Sequence, residues 1–285
     1  MKWGRAMQHL TTILVATDMS PRSDRAMQRA FDLARTHGLP VTVLSVLDDA
    51  MPADLTDVLH AKAEMQLDRF VASLSDGVSH NVVIRVGDPT REILHYANND
   101  PKCLLVMGVH RPRPFLDALR ETTMQRIVRR TANPVLLVKD AVAHAYVHVA
   151  AACDFSPAST ASLMLALSLS QGSTARLIPA LHVPYSGMLG QTSGAASALA
   201  KAFRNECATQ DAIWRADNVL PDGAGETEIL EGSPYPLLRG LADAGDVALI
   251  AVGAHGRVGS ARAILGSLSV DLMRDPPCDV LIARP

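Results

Sequence analysis

Aromatic side chains are scarce in this sequence, at 4% of residues, although hydrophobic residues as a whole make up 48%. The apolar content comes mainly from alanine, leucine and valine. Such a composition is typical of packed α/β layers and argues against an all-β sandwich or a disordered chain. At 285 residues, the chain is long enough for two domains that each bury a core.

An excess of charge of one sign is also missing, since the formal net charge is −2 at pH 7. The composition therefore gives no electrostatic reason to expect nucleic acid or an anionic membrane surface as a partner. The N-terminal residues contain no apolar run long enough for a signal peptide, and no stretch approaches the roughly 20 apolar residues of a membrane span. We expect a cytoplasmic protein.

Cysteine is rare, and the four residues Cys103, Cys153, Cys207 and Cys278 form no CxxC pair. Three of them lie in or beside predicted strands, where a thiol usually serves as a small core residue. We therefore expect neither a disulfide nor a metal site.

The sequence repeats itself. Asp18, Ser20 and Pro21 follow an apolar run, and the same pattern returns 136 residues later at Asp154. Three further pairs of motifs are 145 residues apart: Gly87-Asp-Pro89 and Gly232-Ser-Pro234, Gly108-Val-His110 and Gly253-Ala-His255, and residues 135–139 and 280–284. A constant shift across separate motifs indicates two copies of one domain, at 9–140 and 145–285, with an insertion in the second copy.

Apolar strands alternate with amphipathic helices in both copies. The predicted strands are 13–17, 41–46, 82–86, 103–107 and 135–138 in the first copy, and 147–152, 175–183, 227–230, 247–252 and 280–283 in the second. This alternation predicts two tandem doubly wound parallel five-stranded sheets, each covered by helices on both faces. Because the joint between the copies is short, we expect the two copies to dock against each other.

The second copy carries a glycine motif directly after its fourth predicted strand. Gly253-Ala-His-Gly256 follows the apolar run 247–252, and Gly266-Ser267 then opens a predicted helix. Closely spaced glycines after a strand present bare backbone N–H groups, and a helix N-terminus adds more donors. This arrangement suits an anion such as a phosphate, although a tight turn without a ligand would also use glycines.

These residues resemble the universal stress protein family in its tandem form, over nearly the whole chain. Nucleotide-binding members carry Gly-x-x-Gly, nine residues and then Gly-(Ser/Thr), a pattern that Gly253, Gly256, Gly266 and Ser267 meet. The resemblance implies an adenine nucleotide alpha hydrolase-like fold. Since single-domain relatives pair through their last strands, it implies an intramolecular pseudo-dimer in which strands 135–138 and 280–283 cover each other's edges. It also implies ATP, alone or with Mg²⁺, as the ligand of the second copy.

The resemblance assigns roles by position. Asp154 would accept hydrogen bonds from the ribose hydroxyls, although it could also cap the following helix, and the backbone of Val183 would contact adenine. The phosphates would lie against the glycines and the N-terminus of the last helix. The predicted set is Asp154, Val183, Gly253, His255, Gly256, Gly266, Ser267, Leu268 and Ser269. Since His110 matches His255, we assign the histidine a packing role, and no residue is predicted to be catalytic.

The first copy departs from the glycine pattern. Arg111 and Pro112 stand where the second glycine belongs, and Glu121-Thr122 replaces Gly-Ser. Proline restricts the loop, and a carboxylate facing phosphate oxygens would repel them. We predict that residues 9–140 do not bind ATP in the same manner. Asp18 is retained, so another small ligand stays possible there.

Three functions are compatible with the sequence. The first is an ATP-binding regulatory protein of stress survival with little or slow hydrolysis, since no Walker lysine follows the glycines. The second is a nucleotide-dependent enzyme of a related α/β fold, although its usual Ser-Gly-Gly-x-Asp-Ser and His-x-Gly-His elements are missing. The third is an interaction scaffold without nucleotide. A homodimer and an unknown protein partner stay open, and the insertion at 184–226 is the predicted lid or partner surface.

Overall fold

The computed structural model describes residues 10–50, 52–109, 121–143, 145–170, 172–179, 194–230, 232–255 and 265–285. The first half comprises β1 (Thr12–Thr17), α1 (Pro21–His37), β2 (Val41–Leu47), α2 (Ala53–Ser75), β3 (His80–Val86), α3 (Pro89–Asn99), β4 (Cys103–Gly108), α4 (Thr123–Arg130) and β5 (Val135–Val138). The second comprises β6 (His148–Cys153), α5 (Pro157–Leu169), β7 (Thr174–Pro179), α6 (Gly194–Asp217), β8 (Ala224–Thr227), α7 (Pro234–Asp243), β9 (Leu249–Gly253), α8 (Ser267–Arg274) and β10 (Asp279–Ala283).

The first helix of each half begins in the same way. Ser20 caps α1 and Ser156 caps α5, and a proline occupies the first helical position after each serine. Serine accepts a hydrogen bond from an amide of the first turn, and proline there lacks only a donor that the helix would leave unused. The preceding residues Met19 and Phe155 share a left-handed backbone, with φ of 58° and 62°. The internal repeat therefore extends to the backbone conformation.

The ten strands form one mixed sheet in the order β3-β2-β1-β4-β5-β10-β9-β6-β7-β8. The strands of each half are parallel, and the halves join where β5 and β10 run antiparallel. Val280 pairs with Leu137 and Ile282 with Val135 across this seam. The predicted pairing of the two last strands is confirmed.

The third strand of the second half is displaced from its prediction. We expected it at 227–230, but β8 spans Ala224–Thr227. Glycine makes this position possible: a Cβ on Gly225 would lie 2.7 Å from the carbonyl oxygen of Ala175 in β7, and one on Gly223 would lie 2.6 Å from that of Ser173. A strand that depends on small residues carries little of the β-branched apolar pattern that predicts strands.

Both faces of the sheet are buried, as the continuous apolar strands predicted. On each face the buried cluster contains residues of both halves, such as Leu136 with Leu281 on one face and Leu137 with Val280 on the other. The four cysteines are buried free thiols. Burial raises the pKa of Cys103, Cys153 and Cys278 to about 12, so these act as core residues. Among the residues that the structure describes, no helix combines the length and apolarity that a membrane crossing requires.

A buried charge cluster lies at the seam. The Asp279 carboxylate accepts hydrogen bonds from the Tyr146 hydroxyl and from the backbone N–H of Lys139, the latter at 2.8 Å. The Arg29 guanidinium, from α1 of the first half, lies 3.5 Å from Asp279 and packs over the Tyr146 ring at 4.2 Å. Burial raises the pKa of Asp279, and these partners offset only part of that effect. The cluster ties α1, the joint between the halves and β10 together.

Replacing Arg29 by methionine should destabilise the protein by about 3–5 kcal/mol, because the Asp279 charge would stay buried without its cation. The matched control is Arg35→Met on the same helix, where the ion pair with Asp76 is exposed and contributes below about 1 kcal/mol. Urea unfolding of both variants measures the difference. Equal losses in the two variants would contradict a special contribution of the buried cluster to stability.

Candidate functional site

Seven of the nine predicted site residues line one cavity in the second half. Its volume is about 110 Å³, and its walls include Asp154, Gly253, His255, Gly266, Ser267, Leu268 and Ser269. The cavity lies at the carboxyl ends of β6 and β9 and at the N-terminus of α8, the edge at which open α/β sheets hold ligands. Val183 and Gly256 lie outside the described residues. The described part of the cavity is smaller than a typical ligand pocket.

Asp154 directly follows β6. One carboxylate oxygen accepts a hydrogen bond from the N–H of Ser156 at 3.1 Å. The N-cap of α5 is Ser156 itself, whose hydroxyl accepts the N–H of Ser159 at 3.2 Å. Asp154 thus supports the turn before the helix rather than capping the helix. The same hydrogen bond brings its carboxylate to the wall of the cavity.

Gly253 ends β9 where the backbone of α5 passes very close. A Cβ at this position would lie 2.8 Å from the carbonyl carbon of Ala158 and 2.8 Å from the nitrogen of Ser159. Gly108 has the same relation to Arg22 in the first half, with a Cβ distance of 2.8 Å to the backbone. We expected the glycine to make room for a ligand, whereas its small size is already required by the packing of α5.

No side chain among the described residues caps the N-terminus of α8. Its N-cap residue is Gly266, and the first intrahelical hydrogen bond runs from the N–H of Val270 to the carbonyl of Gly266 at 3.0 Å. The amides of Ser267, Leu268 and Ser269 precede that bond, so they have no acceptor within the helix. These N–H groups and the positive end of the helix dipole can hold an anion.

The side chain of Ser269 is engaged within the protein. Its hydroxyl donates to the carbonyl of Gly253 at 2.8 Å, and the residue is buried. This hydrogen bond fixes the start of α8 against the end of β9. Ser269 would therefore contribute its backbone N–H to an anion, and its side chain positions the helix.

The matching helix of the first half is closed by side chains. Thr122 caps α4 and accepts the N–H of Gln125 at 3.2 Å, while the Gln125 side chain accepts the N–H of Thr122 at 3.0 Å. This capping box satisfies the N–H of Gln125, which matches the open N–H of Ser269 in α8. The N–H of Gly266 in α8 already donates to the carbonyl of Ala254 at 2.9 Å. The Glu121 carboxylate lies 2.9 Å from Arg129, which compensates part of its charge. We expected this carboxylate to face the position of a phosphate.

His255 connects the candidate site to the first half through Arg284. One guanidinium nitrogen of Arg284 lies 3.0–3.2 Å from the two ring nitrogens of His255, and the other donates to the carbonyls of Val128 and Arg129 at 2.9 and 3.0 Å. The packing role predicted for His255 is consistent with these contacts. Sequence reasoning missed Arg284, because contacts across the seam leave no local signal. It also missed Ser159, another cavity residue, although the spacing Asp18–Ser23 repeats at Asp154–Ser159.

The part of the chain that the structure describes contains no cluster of three or more histidine, cysteine, aspartate or glutamate side chains arranged to hold a metal ion. The chemistry that the cavity offers is hydrogen bonding, with a carboxylate as acceptor on one side and the helix amides as donors on the other.

Replacing Gly253 by alanine should lower stability by about 1–3 kcal/mol, because the new methyl group meets the backbone of α5. The control is Gly240→Ala in α7, where an added Cβ meets nothing within 4 Å. That variant should gain about 0.5–1 kcal/mol of helix stability. Thermal unfolding compares the two, and a neutral Gly253→Ala variant would show that α5 does not need this close approach.

Comparison with known proteins agrees with the internal repeat. The Universal stress protein family matches the chain twice, at residues 9–139 and 145–284. A search of curated proteins finds no match. Among solved structures, a universal stress protein from Archaeoglobus fulgidus DSM 4304 aligns with a TM-score of 0.71 at 20% identity, covering 97% of this chain and 99% of that one. A functionally unknown protein from Pseudomonas aeruginosa PAO1 aligns with a TM-score of 0.63 at 19% identity, covering 98% and 94%.

Both solved structures match along the full tandem chain, and the shared feature is the fold. The two family matches, the ten-stranded sheet and the parallel topology of each half therefore agree. This chain belongs to the universal stress protein family, with two family domains in tandem and an adenine nucleotide alpha hydrolase-like α/β fold.

Proposed function

We propose that this protein binds ATP in its second half and acts in stress survival as a nucleotide-dependent regulator. The observation that carries the proposal is the convergence of three features on one cavity. These are the Asp154 carboxylate, the glycine end of β9 and the uncapped N-terminus of α8. Each feature alone has a structural explanation, whereas together they offer complementary partners to a sugar and a phosphate.

The amides of Ser267, Leu268 and Ser269 would donate to phosphate oxygens. Because these donors and the helix dipole favour negative charge, a polyphosphate gains more from the site than a neutral ligand does. The Asp154 carboxylate would accept the ribose hydroxyls on the opposite side. Of the remaining predicted contacts, Val183 and Gly256 belong to segments that the structure does not describe.

The proposal assigns the phosphates to the second half alone. The two halves share the same frame, with Asp18 and Asp154 after the first strand and Gly108 and Gly253 after the fourth. They differ at the last helix, where Thr122 and Gln125 occupy donors of α4 while α8 has no side-chain cap. The capping box takes the N–H of Gln125, so the first half offers a phosphate one helix amide fewer than the second half does.

Binding without rapid turnover fits the side chains around the cavity. Residues 253–269 contain neither lysine nor a carboxylate, so this segment offers no lysine to the phosphates and no acidic base. His255 is engaged with Arg284. We therefore propose that occupancy of the site, rather than hydrolysis, carries the signal.

Millimolar ATP should raise the melting temperature of the wild-type protein by several degrees, because a ligand that binds only the folded state stabilises it. The variant Ser267→Asp should abolish the shift. A carboxylate at the first position of α8 repels phosphates while it favours the helix dipole, so the fold should stay intact. Gly256→Arg, which copies the first half, should abolish the shift as well.

Thr123→Asp is the matched control, since Thr123 is the first residue of α4. It places the same charge at the equivalent helix end and should leave the ATP shift unchanged. The proposal fails if wild-type protein shows no shift with ATP, or if Thr123→Asp and Ser267→Asp reduce the shift equally. Repeated turnover of ATP by the purified protein would instead favour an enzyme.

A further inference from the structure

The end of β10 holds the wall of the candidate ATP cavity in place. The N–H of Ala254 donates to the carbonyl of Ala283 at 2.8 Å, and the carbonyl of Ala254 accepts the N–H of Gly266 at 2.9 Å. Gly266 is the N-cap of α8, so the position of that helix end depends on the backbone of Ala254. The next residue, His255, lies at the cavity wall. One short segment therefore connects β10, the cavity wall and the amides that would hold phosphate.

Arg284 directly follows β10 and contacts the same segment with its side chain. The residue is only 9% exposed. One terminal guanidinium nitrogen lies 3.0 and 3.2 Å from the two ring nitrogens of His255. The other donates to the carbonyls of Val128 and Arg129 at 2.9 and 3.0 Å. These carbonyls belong to the last turn of α4, where the helix offers them no amide partner and its dipole favours a cation.

The two-pronged shape of the guanidinium suits this double contact. Lys139 occupies the matching position after β5, and its single nitrogen donates to the carbonyl of Pro277 at 2.6 Å. A lysine in place of Arg284 would also have one nitrogen, so it could not fill both positions of the planar group. The arginine thus fixes the cavity wall relative to the last helix of the first half.

We infer that Arg284 is a positioning residue of the proposed ATP site, which holds His255 and the start of α8 in the geometry that binds phosphate. This role rests on the proposed function and goes beyond it, because the ATP affinity of the second half then depends on the end of α4 in the first half. Both terminal guanidinium nitrogens contact protein atoms. Arg284 therefore acts through His255 and does not touch the ligand.

Isothermal titration of ATP into the full-length protein and its variants tests this role. Arg284→Met removes both contacts and should weaken ATP about tenfold, because binding must then order His255 and the start of α8. Arg284→Lys keeps the charge but not the fork, and it should lose most of the same affinity. His255→Ala should weaken ATP to the same extent as Arg284→Met.

The double variant Arg284→Met with His255→Ala should bind ATP no more weakly than either single variant, since both substitutions remove one shared contact. A purely structural role would not produce this non-additivity in the ATP dissociation constant. Urea unfolding shows which variants are folded during the titration. If Arg284→Met does not fold, Arg284→Lys takes its place in the cycle.

Lys139→Met is the matched control. It also removes a basic side chain that crosses the seam after a last strand, but that side chain contacts Pro277 and not His255. The ATP dissociation constant of this variant should stay within about twofold of the wild-type value, because contacts that do not share partners act independently.

Unchanged ATP affinity in the Arg284 variants, with normal binding by the wild-type protein, overturns the role of Arg284 and leaves the proposed function standing. Full affinity in Arg284→Lys also overturns it, because the charge alone would then suffice. Additive losses in the double variant would place Arg284 directly on the ligand. Equal losses in Lys139→Met and Arg284→Met would reflect a general loosening of the seam, and both results contradict the inference. Absence of ATP binding by the wild-type protein overturns the proposed function, and the role of Arg284 falls with it.

Discussion

The structure depends on the antiparallel contact between β5 and β10, because it converts two five-stranded halves into one sheet. Each half ends on an edge strand whose unpaired backbone groups would otherwise be exposed, and each edge satisfies the other. The basic residue after each of these strands crosses the seam. Lys139 donates to the carbonyl of Pro277, and Arg284 donates to those of Val128 and Arg129. These contacts, together with the buried Asp279 cluster, fix one half against the other.

The two halves share one backbone arrangement but differ at the N-terminus of their last helix. Both halves use a serine-capped first helix and a glycine that allows that helix to approach the sheet. The last helix begins with a capping box in the first half and with glycine in the second. A capping box stabilises a helix by using the donors that an anion would need. In α4 the box occupies the N–H of Gln125, so this amide stabilises the helix instead of facing a ligand.

The contact of Arg284 with His255 means that a wall of the second-half cavity is held by the first half. The carbonyls that Arg284 binds belong to the last turn of α4, and the first turns of α4 line a cavity of about 410 Å³ in the first half. The two cavities are thus joined through one helix, one arginine and one histidine. This continuity provides a physical connection, and any energetic coupling between the cavities would have to act on these contacts.

The sequence by itself determined the repeat and the alternation of strands and helices, because both follow from periodicity and from motif spacing. Its resemblance to the family indicated the pairing of the last strands and the seven residues that meet at one cavity. The sequence misplaced β8, since Gly223 and Gly225 carry no apolar signal. Only the tertiary structure decided that Ser269 bonds Gly253, that Gly253 packs on α5, that Glu121 turns to Arg129 and that Arg284 reaches His255. Each of these depends on atoms brought together by folding from distant parts of the chain or from adjacent turns, and no local pattern in the sequence encodes such distances.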